Sequence, residues 1–354
     1  MKAGLLLEPL PAGKLPGWLL QKVLPKSARD PSVLVGPGLG RDAAAISVGD
    51  RVIVAKNDPI TFATEGGAAH LVEVNANDVA CMGAIPRWLL VTAFLPQGAT
   101  PADVLNQFAE LRETCRQRSV DLIGGHTEIV PGLKRPILVG MMLGEASPGD
   151  LLTPGQARPG DILLLTKGLA IEGTALLARE RAQVLQMRIG EEAVRDAASL
   201  MQRPGISVVL EAETALLSGG VTALHDPTEG GLATAVRELA MVSGCGAEVD
   251  LDMVPILPQT LAVADALELD PLGMLASGSL LIAARPDAVS RIIRDVEAAG
   301  IPICSLGKLT DDPSDFSLIS DQERRPLPEF AVDEVARLLS VSDEPNIDQS
   351  PADS

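Results

Sequence analysis

Five short motifs along this chain combine acidic residues with glycine, asparagine or proline, and the sequence around each favours a turn. They are Gly40-Arg-Asp-Ala-Ala44, Asn57-Asp-Pro59, Asn77-Asp78, Gly124-Gly-His-Thr-Glu128 and Asp226-Pro-Thr-Glu-Gly-Gly231. Mg²⁺ that holds a polyphosphate takes octahedral oxygen ligands, and carboxylates from separate loops can supply some of them. Glycines beside such carboxylates let backbone N–H groups approach a phosphate. The set of motifs therefore indicates a site for a metal-bound polyphosphate.

Each motif on its own also has a simpler structural interpretation. Asp42 is explained equally well as a plain turn residue. For Asp58 we favour a turn over a metal ligand, because an Asn-Asp-Pro sequence is typical of a turn. Asp226 is followed by Pro227 and Glu229, which is the pattern of a helix N-cap with a capping box. For Asp226 we favour capping over the alternative, a metal ligand beside a helix N-terminus that attracts anions.

The Asn77-Asp78 motif lies in a predicted helix over residues 66–82. At about 100° per residue, apolar residues cover most of this helix and its polar residues share one side. The polar residues on that side are His70, Glu73, Asn77 and Asp78. A helix this apolar is mostly buried, so its polar side faces either solvent or a site, and we favour solvent. Asn75 lies among the apolar positions and needs a hydrogen-bond partner of its own.

The elements that position these motifs form a repeated pattern of strands and helices. In the first half, helices are predicted over residues 66–82 and 101–118, and strands over 33–35, 43–47, 52–55, 88–95, 122–123 and 137–143. The second helix has Thr100 as N-cap, Pro101 at its first position and Asp103 in its first turn. Residues 147–161, six of which are Pro or Gly, mark a domain boundary.

The second half repeats the mixture of strands and helices. Strands are predicted near residues 162–166, 248–251, 278–284 and 303–308, and helices near 172–186, 191–202, 227–243, 286–299 and 328–339. After Ser340 the composition favours disorder. We assign one α+β domain to residues 1–150, a second to residues 158–330, and a helix with a disordered tail to residues 331–354.

Composition excludes two classes of partner. The chain has 29 Lys and Arg against 47 Asp and Glu, a formal net charge of −18, which disfavours a nucleic-acid backbone. No run approaches the roughly 18 apolar residues that span a bilayer, so we expect no membrane segment. The four cysteines, Cys81, Cys115, Cys245 and Cys304, form no CxxC pair. We therefore expect a reduced, cytoplasmic protein.

Taken in order, the motifs resemble those of the PurM-like ATP-binding superfamily. The most similar branch is the AIR synthase-related group around the hydrogenase maturation protein HypE. The common nucleotide signatures GxxxxGK[ST] and GxGxxG are absent, so the ordered set carries the resemblance. It runs through residues 13–16, 35–44, 77–86, 124–127, 226–233, 276–281 and 300–308, which cover nearly all of the predicted globular part.

The resemblance implies an α+β fold of two PurM-like domains and a homodimer that binds ATP and Mg²⁺. The N-terminal-domain sheets of the two copies would join into a barrel. Catalytic roles are implied for Asp78 and for Lys14, a phosphate contact. The implied metal ligands are Asp42, Asp58, Asp78 and Asp226, and the implied nucleotide pocket contains Gly40, Asn77, Gly124, Gly125, His126 and Thr127. Many relatives carry an acid in place of His126, so either Glu128 replaces that carboxylate as a metal ligand or the metal set is smaller.

By the same resemblance, the chain is an ATP-utilising enzyme that phosphorylates or dehydrates a small carbonyl, amide or carboxylate substrate. Two alternatives stay open: a small-molecule kinase similar to thiamine-monophosphate kinase, and a non-catalytic nucleotide-sensing or partner-binding protein. In HypE a C-terminal cysteine carries the group that is dehydrated, whereas the last cysteine here is Cys304, which we expect in the core. We therefore expect either a substrate other than that of HypE or a metalloenzyme-maturation partner that supplies a cysteine-bearing tail.

Overall fold

The computed structural model describes residues 10, 15, 17–38, 41, 43–61, 66–153 and 155–340. Three of the predicted site residues, Lys14, Gly40 and Asp42, lie outside the described residues, as does the tail after Ser340. The described residues form two β-sheets, one in each half of the chain, with helices packed against both. This confirms the predicted two-domain α+β fold. Among the described residues, none of the helices combines the length and the apolar character that crossing a membrane requires.

The first sheet belongs to the N-terminal half. The elements of this half are α1 (Gly17–Val23), β1 (Val33–Val35), β2 (Ala44–Val48), β3 (Arg51–Ile60), α2 (Gly67–Cys81), β4 (Ile85–Pro96), α3 (Pro101–Gln117), β5 (Asp121–Val130) and β6 (Ile137–Ala146). The strands pair in the order β1-β2-β3-β6-β4-β5, and all pairs are antiparallel except β4 with β5. Helix α3 begins as predicted, since Asp103 N–H donates to Thr100 Oγ1 and Thr100 N–H donates to the Asp103 carboxylate.

The second sheet belongs to the C-terminal half and has helices on both of its faces. The elements are β7 (Ile162–Thr166), α4 (Ile171–Glu180), α5 (Ala182–Ile189), α6 (Glu191–Ser199), α7 (Val209–Ser218), β8 (Val221–His225), α8 (Gly231–Val242), β9 (Gly246–Asp250), α9 (Pro258–Leu267), β10 (Leu281–Ala284), α10 (Val289–Ala298), β11 (Ile303–Thr310), β12 (Phe316–Ser320), β13 (Glu323–Pro326) and α11 (Glu334–Ser340). The strands pair in the order β13-β12-β9-β11-β7-β10-β8.

Several segments differ from the predicted elements. Strand β5 is ten residues long and includes the Gly124–Glu128 motif, and Asp58 lies inside β3, so neither motif is a turn. The helix predicted over residues 172–186 is interrupted at Arg181. Helices α1, α7 and α9 and strands β8, β12 and β13 have no counterpart among the predictions. Pairing with neighbouring strands stabilises β5, β12 and β13, and packing on α2 stabilises α7, although their local sequence patterns are weak.

Helix α2 is the element that joins the two domains. It lies on β3 and β6 of its own sheet and also contacts α7 and β8 of the C-terminal domain. Its Asn75 and Asn77 side chains are fully buried, and Asp78 is 4% exposed. The expectation that the polar side of this helix faces solvent is therefore wrong, because the C-terminal domain covers it.

Candidate functional site

Strand β3 changes from apolar to charged residues along the side that faces α2. Because side chains alternate along a strand, Val52, Val54, Lys56 and Asp58 point to the same side of the sheet. Val52 and Val54 are fully buried. The Lys56 side chain is 12% exposed and the Asp58 side chain is 38% exposed. Two charged side chains thus follow two buried valines on the face of β3 that is turned toward the core, and both are partly shielded from water.

The amide of Asn75 holds the β3 backbone at Asp58. Its Oδ1 accepts a hydrogen bond from the Asp58 N–H at 3.0 Å, and its Nδ2 donates to the Leu71 carbonyl at 2.9 Å. The helix approaches this closely because residue 140 is a glycine: a Cβ there would lie 2.8 Å from Asn75 Nδ2. The prediction that Asn75 needs a hydrogen-bond partner is confirmed. Its partners are the backbone N–H of Asp58 and the backbone carbonyl of Leu71.

Lys56 connects the two predicted metal ligands Asp58 and Asp78. Its Nζ lies 3.2 Å from Asp58 Oδ2 and 2.9 Å from Asp78 Oδ2. We call these three residues the Lys56 cluster. Lys56 is not among the predicted site residues, because the motifs that predicted the site combine acidic residues with glycine, asparagine or proline. The signal that could have found it is a basic residue two positions before Asp58, and therefore on the same face of a strand.

The side chain of Asn77 links α2 to the C-terminal domain. Its Nδ2 donates to the Ile206 carbonyl at 2.8 Å, and its Oδ1 accepts from the Val208 N–H at 2.8 Å. Lys167 holds the same segment from the C-terminal domain, since its Nζ donates to the Ser207 carbonyl at 2.5 Å. Both ends of the Asn77 amide are thus engaged by one backbone segment. This contact sets where α2, with the Asp78 it carries, lies relative to the C-terminal domain.

A buried ion pair also joins α2 to α4. His70 Nε2 lies 2.7 Å from Glu172 Oε1, and the two side chains are 10% and 6% exposed. Burial by itself would lower the pKa of His70, but the Glu172 carboxylate outweighs it and the pKa is raised. Glu73 adds to this rise and Arg179 opposes it. The charged imidazole is therefore favoured at the contact between the domains.

Asp226 directly follows β8, across the domain boundary from α2. Its Oδ1 lies 3.8 Å from the Sγ of Cys81, which is about one helical turn beyond Asp78. The neighbouring His225 Nε2 lies 3.1 Å from Glu238 Oε2. Asp78, Cys81, His225 and Glu238 help to line a cavity of about 50 Å³ between the domains. This volume suits an ion or a few water molecules, whereas pockets for nucleotide-sized ligands have several hundred Å³.

Asp226 does not cap helix α8. The helix begins at Gly231 with Gly230 at the N-cap, and the Gly230 N–H donates to the Asp333 carboxylate at 2.8 Å. Burial raises the pKa of Asp333 to about 6, although this hydrogen bond and two others from backbone N–H groups oppose the rise. The favoured capping interpretation of Asp226 is therefore wrong, because helix α8 begins only at Gly231 and its N-cap residue is Gly230, with no side-chain cap hydrogen bond. The role of Asp226 as a metal ligand stays a prediction.

The donors in the Lys56 cluster suit Mg²⁺. Asp58 and Asp78 direct carboxylate oxygens at one ammonium, and Mg²⁺ is usually held by one or two carboxylates together with water and phosphate oxygens. Within the described ranges, no three or more His, Cys, Asp or Glu side chains are grouped so that they could hold a metal ion. The predicted ligand Asp42 lies outside those ranges. The pair of carboxylates thus fits a Mg²⁺ ion that arrives with a polyphosphate.

The Gly124–Glu128 motif forms part of the edge strand β5. Gly124, His126, Thr127 and Glu128 are all exposed, and His126 Nε2 lies 3.5 Å from Glu128 Oε2. Gly125 is needed for the strand pairing, because a Cβ there would lie 1.8 Å from the Val91 carbonyl oxygen of β4. Their predicted roles in nucleotide and metal binding stay predictions.

Comparison with known protein families matches both halves of the chain. Residues 40–146 match the N-terminal domain of the AIR synthase related proteins, and residues 158–319 match the C-terminal domain of the same proteins. Among curated proteins, the chain is 31% identical over 258 residues to a carbamoyl dehydratase HypE of Cupriavidus necator, with 70% of each chain covered. It is 29% identical to a carbamoyl dehydratase HypE of Escherichia coli, over 71% of this chain and 73% of that one.

Solved structures share the same fold. A hydrogenase maturation protein HypE in complex with ATP superposes with a TM-score of 0.68, 19% identity, and coverage of 92% of this chain and 98% of that chain. A HypE–HypF complex superposes with a TM-score of 0.67 at 17% identity, over 81% of this chain and 93% of that chain. ThiL complexed with AMPPCP and TMP superposes with a TM-score of 0.65 at 15% identity, over 82% of this chain and 90% of that chain. With both domains matched in order and a relative of 31% identity aligned over 70% of each chain, this protein belongs to the AIR synthase-related family.

Proposed function

We propose that this protein is a Mg²⁺-dependent, ATP-utilising enzyme that activates the oxygen of a carbonyl, amide or carboxylate group by phosphorylation. Its closest counterpart in chemistry would be the carbamoyl dehydratase reaction named for its HypE relatives. The observation that carries the proposal is the pair Asp58 and Asp78, held together on one ammonium at the boundary between the domains. Such a pair can accept a divalent cation and the polyphosphate bound to it.

The proposed chemistry needs mainly charge neutralisation and positioning. For an amide R–CO–NH₂, the carbonyl oxygen attacks the γ-phosphorus of ATP and ADP leaves. Loss of phosphate from that carbon and of both protons from the nitrogen then gives R–C≡N, so the amide and ATP become the nitrile, ADP, phosphate and a proton. Mg²⁺ would neutralise charge on the phosphates. The chain's part is to hold Asp58 and Asp78 at fixed positions, through Asn75 on β3 and through Asn77 at the domain boundary.

A homodimer is part of the proposal, because β5 leaves one edge of the N-terminal sheet open. Its ten residues are almost all exposed, including Ile123 at 53% and Ile129 at 50%. Free edge strands of this length pair readily with another strand. We expect light scattering to give the mass of a dimer for the wild type and a lower mass for Ile129→Lys. Leu217→Lys, at an apolar residue on α7 that is 82% exposed, should leave the mass unchanged. A monomeric wild type would contradict the dimer.

A protein partner that presents the substrate is also proposed, since one structural relative is a HypE bound to HypF. We expect a substrate carried on a cysteine of such a partner to stimulate phosphate release more than free amides do. Equal stimulation by free amides would argue against a protein-borne substrate.

The test of the central proposal is thermal unfolding of the pure protein alone, with Mg²⁺, with ATP and with both. A ligand at about 100 times its Kd stabilises the folded state by roughly 2.7 kcal/mol, which is a readily measured rise in the midpoint. We expect the full rise only with Mg²⁺ and ATP together. Lack of any rise would contradict the proposal and would favour a protein that binds partners without nucleotide.

Turnover assays then separate the reaction classes. The proposal predicts that amides or carbamoyl compounds stimulate release of free phosphate from ATP, with no phosphorylated substrate accumulating. A phosphorylated product formed from a small molecule such as thiamine monophosphate would instead identify a kinase. ATP binding that no substrate converts into turnover would identify a nucleotide sensor.

A further inference from the structure

The Lys56 cluster contains a cation at the point where the proposed metal would bind. Lys56 Nζ lies within 3.2 Å of a carboxylate oxygen of Asp58 and within 2.9 Å of one of Asp78. A Mg²⁺ ion held by the same two oxygens would compete with this ammonium for them. The cluster is thus an ion site in which one positive charge of the protein already neutralises part of the negative charge.

The position of Lys56 differs from that of an ordinary surface lysine. Its side chain is 12% exposed, and it extends from the middle of β3, where residue 56 pairs with Met142 of β6. Asp78, which is 5% exposed, is carried on α2. Two separate elements therefore bring the ammonium and the carboxylate together. An ammonium group has three N–H donors that are not confined to one plane, so it can donate hydrogen bonds to two carboxylates at once.

We infer that Lys56 is a built-in counter-ion that holds Asp58 and Asp78 together in the metal-free protein and that a divalent cation must displace. This inference rests on the proposed function and adds that the Lys56 ammonium sets how tightly the site binds a divalent cation. The ammonium lowers the cost of placing two carboxylates close together. The same ammonium weakens the binding of a free divalent cation, so the metal binds well only when it brings a polyphosphate with it.

The competing interpretation is that Lys56 permanently replaces the metal. In that case the wild type would take up no divalent cation in the cluster even with ATP, and only removal of the ammonium would open the site. A second competing interpretation is that Lys56 stabilises the fold and has no effect on the metal. Our inference differs from the first interpretation in predicting that the wild type binds the metal when ATP is present, and from the second in predicting that removal of the ammonium raises metal affinity.

The experiment measures Mn²⁺ binding to the nucleotide-free, full-length protein by isothermal titration calorimetry and by the electron paramagnetic resonance of free Mn²⁺. We compare the wild type with Lys56→Met and Lys56→Gln, two neutral replacements of similar length. Lys308→Met is the matched control, because Lys308 also pairs with a carboxylate, Glu248, but lies on β11 and is 52% exposed. Circular dichroism verifies that each variant is folded.

We expect Lys56→Met and Lys56→Gln to bind Mn²⁺ at least fivefold more tightly than the wild type, and Lys308→Met to bind it as the wild type does. Without metal, the unfolding midpoint of both Lys56 variants should fall, and saturating Mn²⁺ should restore it. Unchanged or weaker Mn²⁺ binding in the Lys56 variants would overturn the inference.

Asp78→Asn distinguishes failure of this inference from failure of the proposed function. If Asp78→Asn abolishes Mn²⁺ binding while the Lys56 variants bind no more tightly than the wild type, only the counter-ion role is overturned. If neither the wild type nor any of the Lys56 variants binds Mn²⁺, with or without ATP, both the metal site and the proposed function are wrong.

Discussion

The Lys56 cluster and the pair His126–Glu128 are both charged groups on the N-terminal sheet, but their surroundings differ. The Asp78 side chain is 5% exposed, and the amide oxygens of Asn75 and Asn77 accept backbone hydrogen bonds that hold the strand and the helix around it. His126 and Glu128 lie on the edge strand with side chains 64% and 57% exposed. The first group depends on contacts between domains, whereas the second depends on one contact along its own strand.

This difference determines what each group can do in a single chain. Exposed ion pairs contribute little, with typical values of about 0.2–1 kcal/mol, because water and salt screen the charges. Breaking a buried pair costs about 3–5 kcal/mol, because a buried charge loses its partner. A site that must hold its ligands in place before a metal arrives therefore fits the buried cluster. The exposed strand fits a contact with another molecule.

The largest effect is expected for Asp78→Asn. This change removes the charge of the more buried carboxylate, so the rise in the unfolding midpoint with Mg²⁺ and ATP should disappear. Differential scanning calorimetry with and without ligand measures it. Glu128→Gln is the matched change on the exposed pair, and it should keep the rise under the alternative of a smaller metal set without Glu128, which the 57% exposure of this side chain favours. Loss of the rise in both variants would place the exposed pair in the same site and remove the distinction between the two regions.

The next largest effect is expected for Asn77→Ala. The change leaves the buried Ile206 carbonyl and Val208 N–H without the partners they now have, at about 1–3 kcal/mol for each group. Urea unfolding measures the loss of stability. Asn57→Ala, at an exposed asparagine on β3, is the control and should change stability by less than about 0.5 kcal/mol. A similar loss of unfolding free energy in the two variants would show that the contact of Asn77 with the C-terminal domain does not contribute to stability beyond an ordinary surface residue.

A smaller, pH-dependent effect is expected for His70→Gln. The pKa of His70 is raised above 6.5, since burial is outweighed by Glu172. The stability that the charged imidazole contributes is thus fully present below pH 6.5 and is lost as pH rises through the raised pKa. The free energy of unfolding of the wild type minus that of the variant should decrease from pH 6 to pH 9. A constant difference across this range would mean that His70 does not titrate in the folded protein.

The smallest effect is expected for His126→Ala. Because the ring is 64% exposed, the free energy of unfolding of a single copy should change by less than about 0.5 kcal/mol. Chemical unfolding at low protein concentration measures this value. A loss greater than 1 kcal/mol that depends on protein concentration would show instead that the edge strand is buried between two copies.

Local signals were enough to predict much of the fold. The capping box of α3 at Thr100 and Asp103 and the buried character of α2 both follow from short sequence patterns. The family resemblance likewise rests on motifs that are contiguous in sequence, and the comparisons confirm it. The predictions failed where a distant contact decides the structure. Glycines made β5 resemble a turn, and Pro227 made Asp226 resemble the N-cap of a helix that in fact begins at Gly231.

The sequence by itself determined that acidic and glycine-containing motifs and an apolar helix follow one another in the order typical of the family. Residue types and local periodicity can be read directly from the order of residues in the chain. Only the tertiary structure decided that Lys56 lies between Asp58 and Asp78 and that Asn77 binds the backbone at residues 206 and 208. Alternation places Lys56 and Asp58 on one face of β3 wherever the strand lies. Which residue of α2 meets them depends on how the helix packs on the sheet and on the second domain, and long-range packing is not encoded in any local pattern.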